Sequence, residues 1–558
     1  MANKNTISFL SSMAVKVTHE MEDSPTLPLP AVSSSSLSSF WRNRAVEAGL
    51  ILSIILYYVV GNSHFPFDTL LHLGVFERHP LYSLPFLVLF AVLCWYRLPF
   101  AVALLPLTLP YYLLQKTVVG KLNFSLAEIM LWTCVGVALL QIVVNVVQRR
   151  RWRYWLSWSE LRSRLGPFLY PMLLFFVMAG CSIFIAYNKT VALRAFREEV
   201  LDPFVYVLLI LACLRFRHDL LRLVGALFGS GFVIALLGLA QFVFFKHTLV
   251  LEDGVRRVHA VYGSANSIGL LFDYTLPLGL AICLSRLPVR IRVATLVLIL
   301  PFLPVLYLTN SRGAWIALAL STIFLVAFAL RSRRVRLVGG AILVGVVLVG
   351  TLFFRTQIVN IAVDGHTSQS HGYTVSTVEK RVYLWQSALH MIHDSPWLGY
   401  GMDNWLCHYS NNTVCPNTNY HYWIVTTSSG RPTGLRQEPD LSHPHNIFLH
   451  VWVSMGIFGV LALVAVLILF FWLFARILRR VRVVQELPGE RDWREWVRAL
   501  TLGVGAAMLA AMVQAQVDSA FLEQDLAFCF WTLVVALLLL RAVSQANWLS
   551  KRNSEAKR

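Results

Sequence analysis

The chain has 558 residues, 57 % of them apolar and 14 % charged, with a formal net charge of +19. A soluble chain averages roughly 45–50 % apolar and about 25 % charged, so a soluble globular protein is excluded. The 48 Lys and Arg stand in short clusters between apolar runs of bilayer length, so they report orientation in a membrane rather than a nucleic-acid partner.

Residues 1–40 are rich in Ser and Pro and include the run Ser33 to Ser36, the composition of a disordered cytoplasmic tail. A signal peptide is not expected there, because the stretch Ile7 to Val17 is interrupted by Ser8, Ser11, Ser12 and Lys16. Fourteen spans are predicted, near 45–61, 81–96, 98–114, 126–147, 166–187, 203–214, 223–245, 266–284, 291–309, 314–330, 337–353, 446–474, 499–517 and 526–543. The expected class is an all-α polytopic membrane protein. Its parts are a tail over 1–40, eleven helices over 41–353, a large extracytoplasmic loop over 354–445, three helices over 446–543 and a cytoplasmic tail over 544–558. With both termini in the cytoplasm, 33 Lys and Arg face inward and 15 outward, as the positive-inside rule requires. The inner clusters Arg149 to Arg153, Arg331 to Arg336 and Arg476 to Arg482 read as solvated anchors without chemistry.

The loop over 354–445 is far longer than an ordinary connection. It carries Trp385, Trp397, Trp405 and Trp423 among many Tyr, His and Asn, which argues for order and suits the stacking faces of sugars. Of the eight cysteines, six fall in or beside spans as small apolar residues. Cys407 and Cys415 share the outer loop and are expected to pair in an oxidising compartment.

Three segments hold candidate chemistry. In HPHNIFLHVWVSMGIFG, a helix advancing about 100° per residue places Trp452, Gly456 and Gly459 within about 40° of His445. His450 falls near 140° on the same wheel, on the other side of the helix. Glycines on one face admit a close neighbour, and a helix start favours anions. In LTNSRGAWIAL, Arg312 occupies a short outer connection, where a cation needs a reason to be; a phosphate ligand is one and a structural ion pair another. In VEKRVYLWQSALHMIHDSPWLGYG, Arg381, Trp385, Ala388 and Ile392 follow helical spacing, so Arg381 lies with the apolar face. Arg194 and Arg197 share a segment with Glu198 and Glu199, which accounts for them by local pairing. Asp518, Glu523 and Asp525 lie in one short outer loop without a His partner nearby. No Walker loop, dinucleotide fingerprint or HExxH occurs, which excludes a nucleotide-driven pump or a zinc protease of those types.

The HN-x9-G-x-x-G spacing of His445, Asn446, Gly456 and Gly459 resembles the signature of the O-antigen ligase superfamily. So do SRGAW around Arg312, the R-x-x-x-W of Arg381 and Trp385, the P-x-L-G-x-G of Pro396 to Gly401, and VYGSANSIGLLFDYTLPL around Asn266. The likeness spans roughly residues 120–475. It implies a GT-C type membrane fold in the cytoplasmic membrane and transfer of a glycan from a polyprenyl diphosphate to a hydroxyl acceptor on glycan, lipid or protein. It implies no cofactor and no metal. Fixed cations would then hold the diphosphate as its charge grows, the role given to Arg312 and Arg381. His445 would be the general base, with Asn446 orienting it or the substrate. Arg194, Arg197 and Trp385 would bind substrate, Gly456 and Gly459 would be structural, and a single displacement would invert the anomeric centre. A polymerase of the same fold and a non-enzymatic transporter are the alternatives. A transporter calls for ionisable groups at mid-bilayer, where Asp273 is the clear acid.

Overall fold

A computed structural model describes residues 34–60, 80–112, 115–119, 122–148, 157–252, 255–329, 377–409, 443–483, 491–519 and 521–555. Helices dominate. In chain order they are α1 (Ser34–Val59), α2 (Leu84–Leu104), α3 (Leu126–Val147), α4 (Trp158–Leu165), α5 (Leu169–Ile185), α6 (Lys189–Ala195), α7 (Asp202–Cys213), α8 (Arg217–Phe244) and α9 (Ala265–Cys283). They continue as α10 (Val289–Ile299), α11 (Phe302–Thr309), α12 (Arg312–Ala329), α13 (Thr377–Asp394), α14 (Trp405–Tyr409), α15 (Ile447–Val483), α16 (Arg491–Gln514) and α17 (Gln524–Glu555). Two short antiparallel hairpins interrupt the all-α pattern, β1 (Lys116–Val119) with β2 (Leu122–Phe124) and β3 (Val250–Glu252) with β4 (Val255–Arg257).

Ten helical segments among the described residues are long and apolar enough to cross a membrane, and the chain is a multi-pass membrane protein. The predicted span at 45–61 falls on α1, and the one at 203–214 falls on the twelve-residue α7. The span predicted at 337–353 lies outside the described residues. The predicted spans 81–96 and 98–114 are continuous as Leu84–Tyr111, yet the chain leaves helical geometry at Arg97 (φ −136°, ψ 46°). Arg97 reaches Glu47 near the start of α1's apolar stretch. At the far end of α1, Tyr57 hydrogen-bonds Ser83 and the Tyr58 ring lies 4.7 Å from that of Tyr111. Both ends of the segment therefore lie beside one end of α1, and the chain doubles back at Arg97. Pro99, which cannot donate a helical hydrogen bond, stands two residues after the turn.

The centre of the bundle is α9, α16 and α17. Their membrane-length windows are 72 %, 83 % and 83 % buried, whereas Val289–Thr309 is 17 % buried and α3 22 %, so these last two face lipid. Small residues permit the central contacts. A Cβ on Gly503 of α16 would stand 3.1 Å from the Leu278 Cα of α9, and one on Gly269 of α9 would stand 2.8 Å from the Ala314 Cβ of α12.

Candidate active site

The 515–519 turn that follows α16 gathers the candidate residues. Asn446 caps α15, its Oδ1 accepting from the Phe448 and Leu449 amides at 3.0 and 3.2 Å. Its Nδ2 donates to the Gln516 carbonyl at 3.2 Å, and the Ile447 amide donates to the Ala515 carbonyl at 2.9 Å. Asn446, next in sequence to His445, thus holds the mouth of α15 against the turn.

His445 precedes the cap in a left-handed conformation (φ 51°). This corrects the wheel drawn from its position, because the residue is outside the helix. Its Nδ1 is 3.0 Å from Asp518 Oδ1, and His443 Nε2 is 3.5 Å from the same oxygen. The Ser519 amide also donates to that oxygen at 2.9 Å. Asp518 therefore does have a histidine partner, in fact two, against the sequence expectation. The partner lies 73 residues away in the chain, a separation that no local spacing reveals.

His450 is also corrected. Its Nδ1 is 3.0 Å from Ser519 Oγ, and its ring stacks at 5.5 Å on that of His443, whose ring is in turn 4.4 Å from His445. The residue belongs to the same cluster, because the turn carrying Ser519 wraps the helix end and meets both sides of it.

The electrostatics are specific. Burial, the neighbouring His443 and Arg381 lower the His445 pKa below the usual 6.5, although Asp518 acts to raise it. Burial would raise Asp518, but hydrogen bonds from His443 and His445 hold it well below the usual carboxylate range. The pair at neutral pH is therefore a neutral imidazole on an ionised carboxylate. With Nδ1–H donating to Asp518, Nε2 keeps a lone pair for a substrate proton.

Arg381 lies on α13, where Ala388 and Ile392 are buried with Leu384 and Met391. Its Nε donates to the Val517 carbonyl at 2.8 Å, so it joins the turn that holds Asp518. Arg312 opens α12, and the next residue, Gly313, packs on Val517 and Gln514, at 3.3 and 3.4 Å from a Cβ built there. The turn thus brings together the chain at Arg312, Arg381 and His445. Trp385, one helical turn after Arg381, is half-buried with its indole N–H unpartnered among the described residues.

Arg194 and Arg197 have other partners. Arg197 pairs with Glu128 at 3.0 Å and Glu198 at 2.7 Å, and Arg194 pairs with Glu198 at 3.0 Å. The segment reaches the site through Asn404, whose Oδ1 accepts from the Asn188 amide at 2.9 Å just before α6. Around it lie carboxyls, Glu199 and Glu523 from the segments noted in the sequence and Asp403, which the sequence did not single out. Burial raises Asp403 to about 6, with Arg194 and His443 opposing. Burial also raises Glu199, helped by Asp403 and Glu198, and raises Glu523, helped by Asp525, Asp518, Glu199 and Asp403. Tyr262, in the segment before Asn266, donates to Asp525 at 2.9 Å and ties that segment to the start of α17.

Gly456 breaks α15 (φ 73°, ψ −174°). The 396–401 loop fills the break: the Tyr400 and Gly401 amides donate to the Val453 and Ser454 carbonyls at 2.7 and 3.1 Å, and the Ile457 amide donates to the Pro396 carbonyl at 3.1 Å. A Cβ on Gly456 would stand 2.0 Å from the Trp397 oxygen. The close neighbour anticipated for the glycines is this loop, not another helix or a lipid. Gly459, by contrast, faces Met455 and Val451 of its own helix.

The ligand atoms of His443, His445 and Asp518 lie within 4.8 Å of one another, close enough to share a divalent ion as well as to hydrogen-bond. Cys407 is disulfide-bonded, and Cys415 lies outside the described residues. Non-reducing peptide mapping is expected to find the two linked, a closure that stabilises by about 2–3 kcal/mol; a Cys407–Cys415 pair recovered as two free thiols would refute the pairing.

No curated protein sequence matches the chain. Residues 295–464 match the family model Wzy_C, described as O-Antigen ligase. The matched range is shorter than the likeness drawn from the motifs and leaves Arg194, Arg197 and the 515–519 turn outside it. It contains Arg312, Arg381, His445, Asn446, Gly456 and Gly459, and over this segment the chain is similar to the O-antigen ligase family.

Proposed function

We propose that the protein transfers a glycan from a polyprenyl diphosphate to an acceptor hydroxyl at the outer face of the cytoplasmic membrane, without a metal and with inversion. The observation that carries this reading is the His445–Asp518 pair on the turn that also anchors Arg381. On the reading of fourteen crossings with both termini in the cytoplasm, which the basic asymmetry supports, that turn would face outward. The acceptor oxygen gives its proton to His445 Nε2 and attacks the anomeric carbon. The bond to the diphosphate breaks, and the leaving group carries its charge to Arg312 and Arg381. Asp518 stabilises the imidazolium formed. The carboxyls Asp403, Glu199 and Glu523, which burial shifts toward their neutral forms, suit hydrogen bonds to sugar hydroxyls.

The arginine roles have a direct test in donor binding and transfer, measured separately in liposomes. Arg312→Ala and Arg381→Ala are expected to weaken both by about tenfold or more, the scale of a lost charge-assisted contact. Lys at either position is expected to restore charge but not the fork, and so to rescue in part. Unchanged donor binding in both Ala variants would remove the arginines from the diphosphate. A chelator is expected to leave the rate intact; loss of activity restored by zinc would make His443, His445 and Asp518 metal ligands instead.

The match to a family described as O-Antigen ligase supports a glycan ligase or a polymerase of the same fold, and of the two we propose the ligase. One observation bears on transport: Asp273 is fully buried in α9, and neither carboxylate oxygen has a hydrogen-bond partner among the described residues. Among the described residues no other carboxyl bonds to it, so nothing there links it into a path of acids.

A further inference from the structure

His443, His445 and Asp518 turn one ligand atom each toward a common point. The pairs His445 Nδ1–Asp518 Oδ1 and His443 Nε2–Asp518 Oδ1 measure 3.0 and 3.5 Å, and all three atoms lie within 4.8 Å of one another. Zinc binds nitrogen and carboxylate oxygen at about 2.0–2.2 Å, so the edges of its tetrahedron run to about 3.4 Å. The two measured pairs fall on either side of that length, and an ion fits among these side chains with small shifts. Two imidazoles and one carboxylate suit zinc and leave its fourth position open. A set of oxygens would suit magnesium or calcium instead.

The three side chains are also held from behind. The Ser519 amide donates to Asp518 Oδ1 at 2.9 Å, and Ser519 Oγ meets His450 Nδ1 at 3.0 Å. The His443 ring packs on both other imidazoles, 4.4 Å from His445 and 5.5 Å from His450. Outer contacts of this kind fix ligand orientation and raise metal affinity. His443 and Asp518 are buried, while the His445 side chain is 16 % exposed and gives an ion a way in. Arg381 opposes a cation here, and the carboxyls of Asp403 beside His443 and Glu523 beside Asp518 favour one.

An ion at this point changes the tautomer of His445. In the metal-free pair Nδ1–H faces Asp518 and Nε2 keeps the lone pair. Zinc takes a lone pair at Nδ1, so the ring's proton passes through water to Nε2, and His443 exchanges its Nε2 proton in the same way. Neither neutral ring gains or loses a proton overall. His445 Nε2 then carries a hydrogen and accepts none from a hydroxyl. We propose that His443, His445 and Asp518 form an inhibitory zinc site, in which one Zn²⁺ silences the general base by holding His445 in the opposite tautomer. The proposal rests on the reading of His445 as the base, and metal-free transfer and zinc occupancy exclude each other.

The test uses untagged full-length protein in liposomes, with transfer, donor binding and zinc binding measured separately at buffered free zinc. Zinc is expected to lower turnover at least about tenfold while donor binding persists, and a chelator to restore the full rate. Magnesium at the same concentration is expected to leave the rate unchanged. His443→Gln is expected to raise the zinc needed for half-inhibition, relative to its own uninhibited rate, by at least about tenfold. X-ray absorption at the zinc edge, which needs neither a variant nor activity, is expected to show imidazole nitrogen and oxygen ligands without sulfur. Half-inhibition of His443→Gln at the wild-type zinc concentration, sulfur around the ion, or bound zinc without loss of rate would each overturn the proposal. Absence of zinc binding would overturn it and leave the transfer reading intact, whereas stimulation by zinc would overturn both it and the metal-free reaction. A protein inactive at every zinc concentration would refute the transfer reading, and the absorption spectrum would still decide whether these three residues hold the ion.

Discussion

Replacing His445 by alanine is expected to lower turnover by about 10²–10⁴ while donor binding persists, the usual scale for losing a general base. The pH profile of the wild type carries the sign. Burial, His443 and Arg381 lower the His445 pKa, so the base form prevails at neutral pH. The rate should be flat there and fall only as the pH drops below the ordinary histidine value of 6.5. Asp518 is a group that raises His445, so Asp518→Asn should move the acid limb to still lower pH. The same change lets an amide N–H face Nδ1 and favours the tautomer with Nε2 protonated, so the plateau should fall too. A lower plateau with an unmoved limb would make Asp518 merely structural, and a fully active His445→Ala would exclude the base assignment. His450 no longer serves as the inert comparison that its place on a helical wheel suggested, because it bonds Ser519 beside Asp518.

Gly456→Ala is expected to destabilise the protein by more than about 3 kcal/mol. At φ 73° and ψ −174° the backbone occupies a region that side chains rarely tolerate. The added Cβ would meet backbone, the Trp397 oxygen at 2.0 Å and the Leu398 nitrogen at 2.6 Å. The 396–401 loop must then withdraw and give up its three backbone hydrogen bonds to α15. Gly459→Ala meets the Met455 Cβ at 2.8 Å without a positive φ and should cost less. Thermal unfolding in detergent compares the two; a Gly456→Ala midpoint equal to that of the wild type would contradict the wedge.

Apolar length and charge made the helices legible, including the turn at Arg97, because a bilayer imposes one dimension on every span. Motif spacing also brought out Arg312, Arg381, His445 and Asn446. What it could not supply was Asp518, which reaches the histidines only when α16 returns beside α15. The helical wheel failed for a local reason: Asn446 caps the helix, so His445 precedes it, and Gly456 breaks the periodicity eleven residues later. The signal for the cap was present in the sequence as an Asn before an apolar run. The 396–401 loop was legible as glycine-rich, but its site in the break of α15 was not, because only backbone geometry selects it.

The most direct measurement is transfer by the purified protein in liposomes, supplied with a polyprenyl-diphosphate-linked glycan of known anomeric configuration and a hydroxyl-bearing acceptor in the presence of chelator. The expected result is one inverted glycosidic bond for each polyprenyl diphosphate released, abolished to within about 10²–10⁴ by His445→Ala. Retention of configuration, a rate that requires a divalent ion, or no transfer alongside solute flux that depends on Asp273 would contradict it.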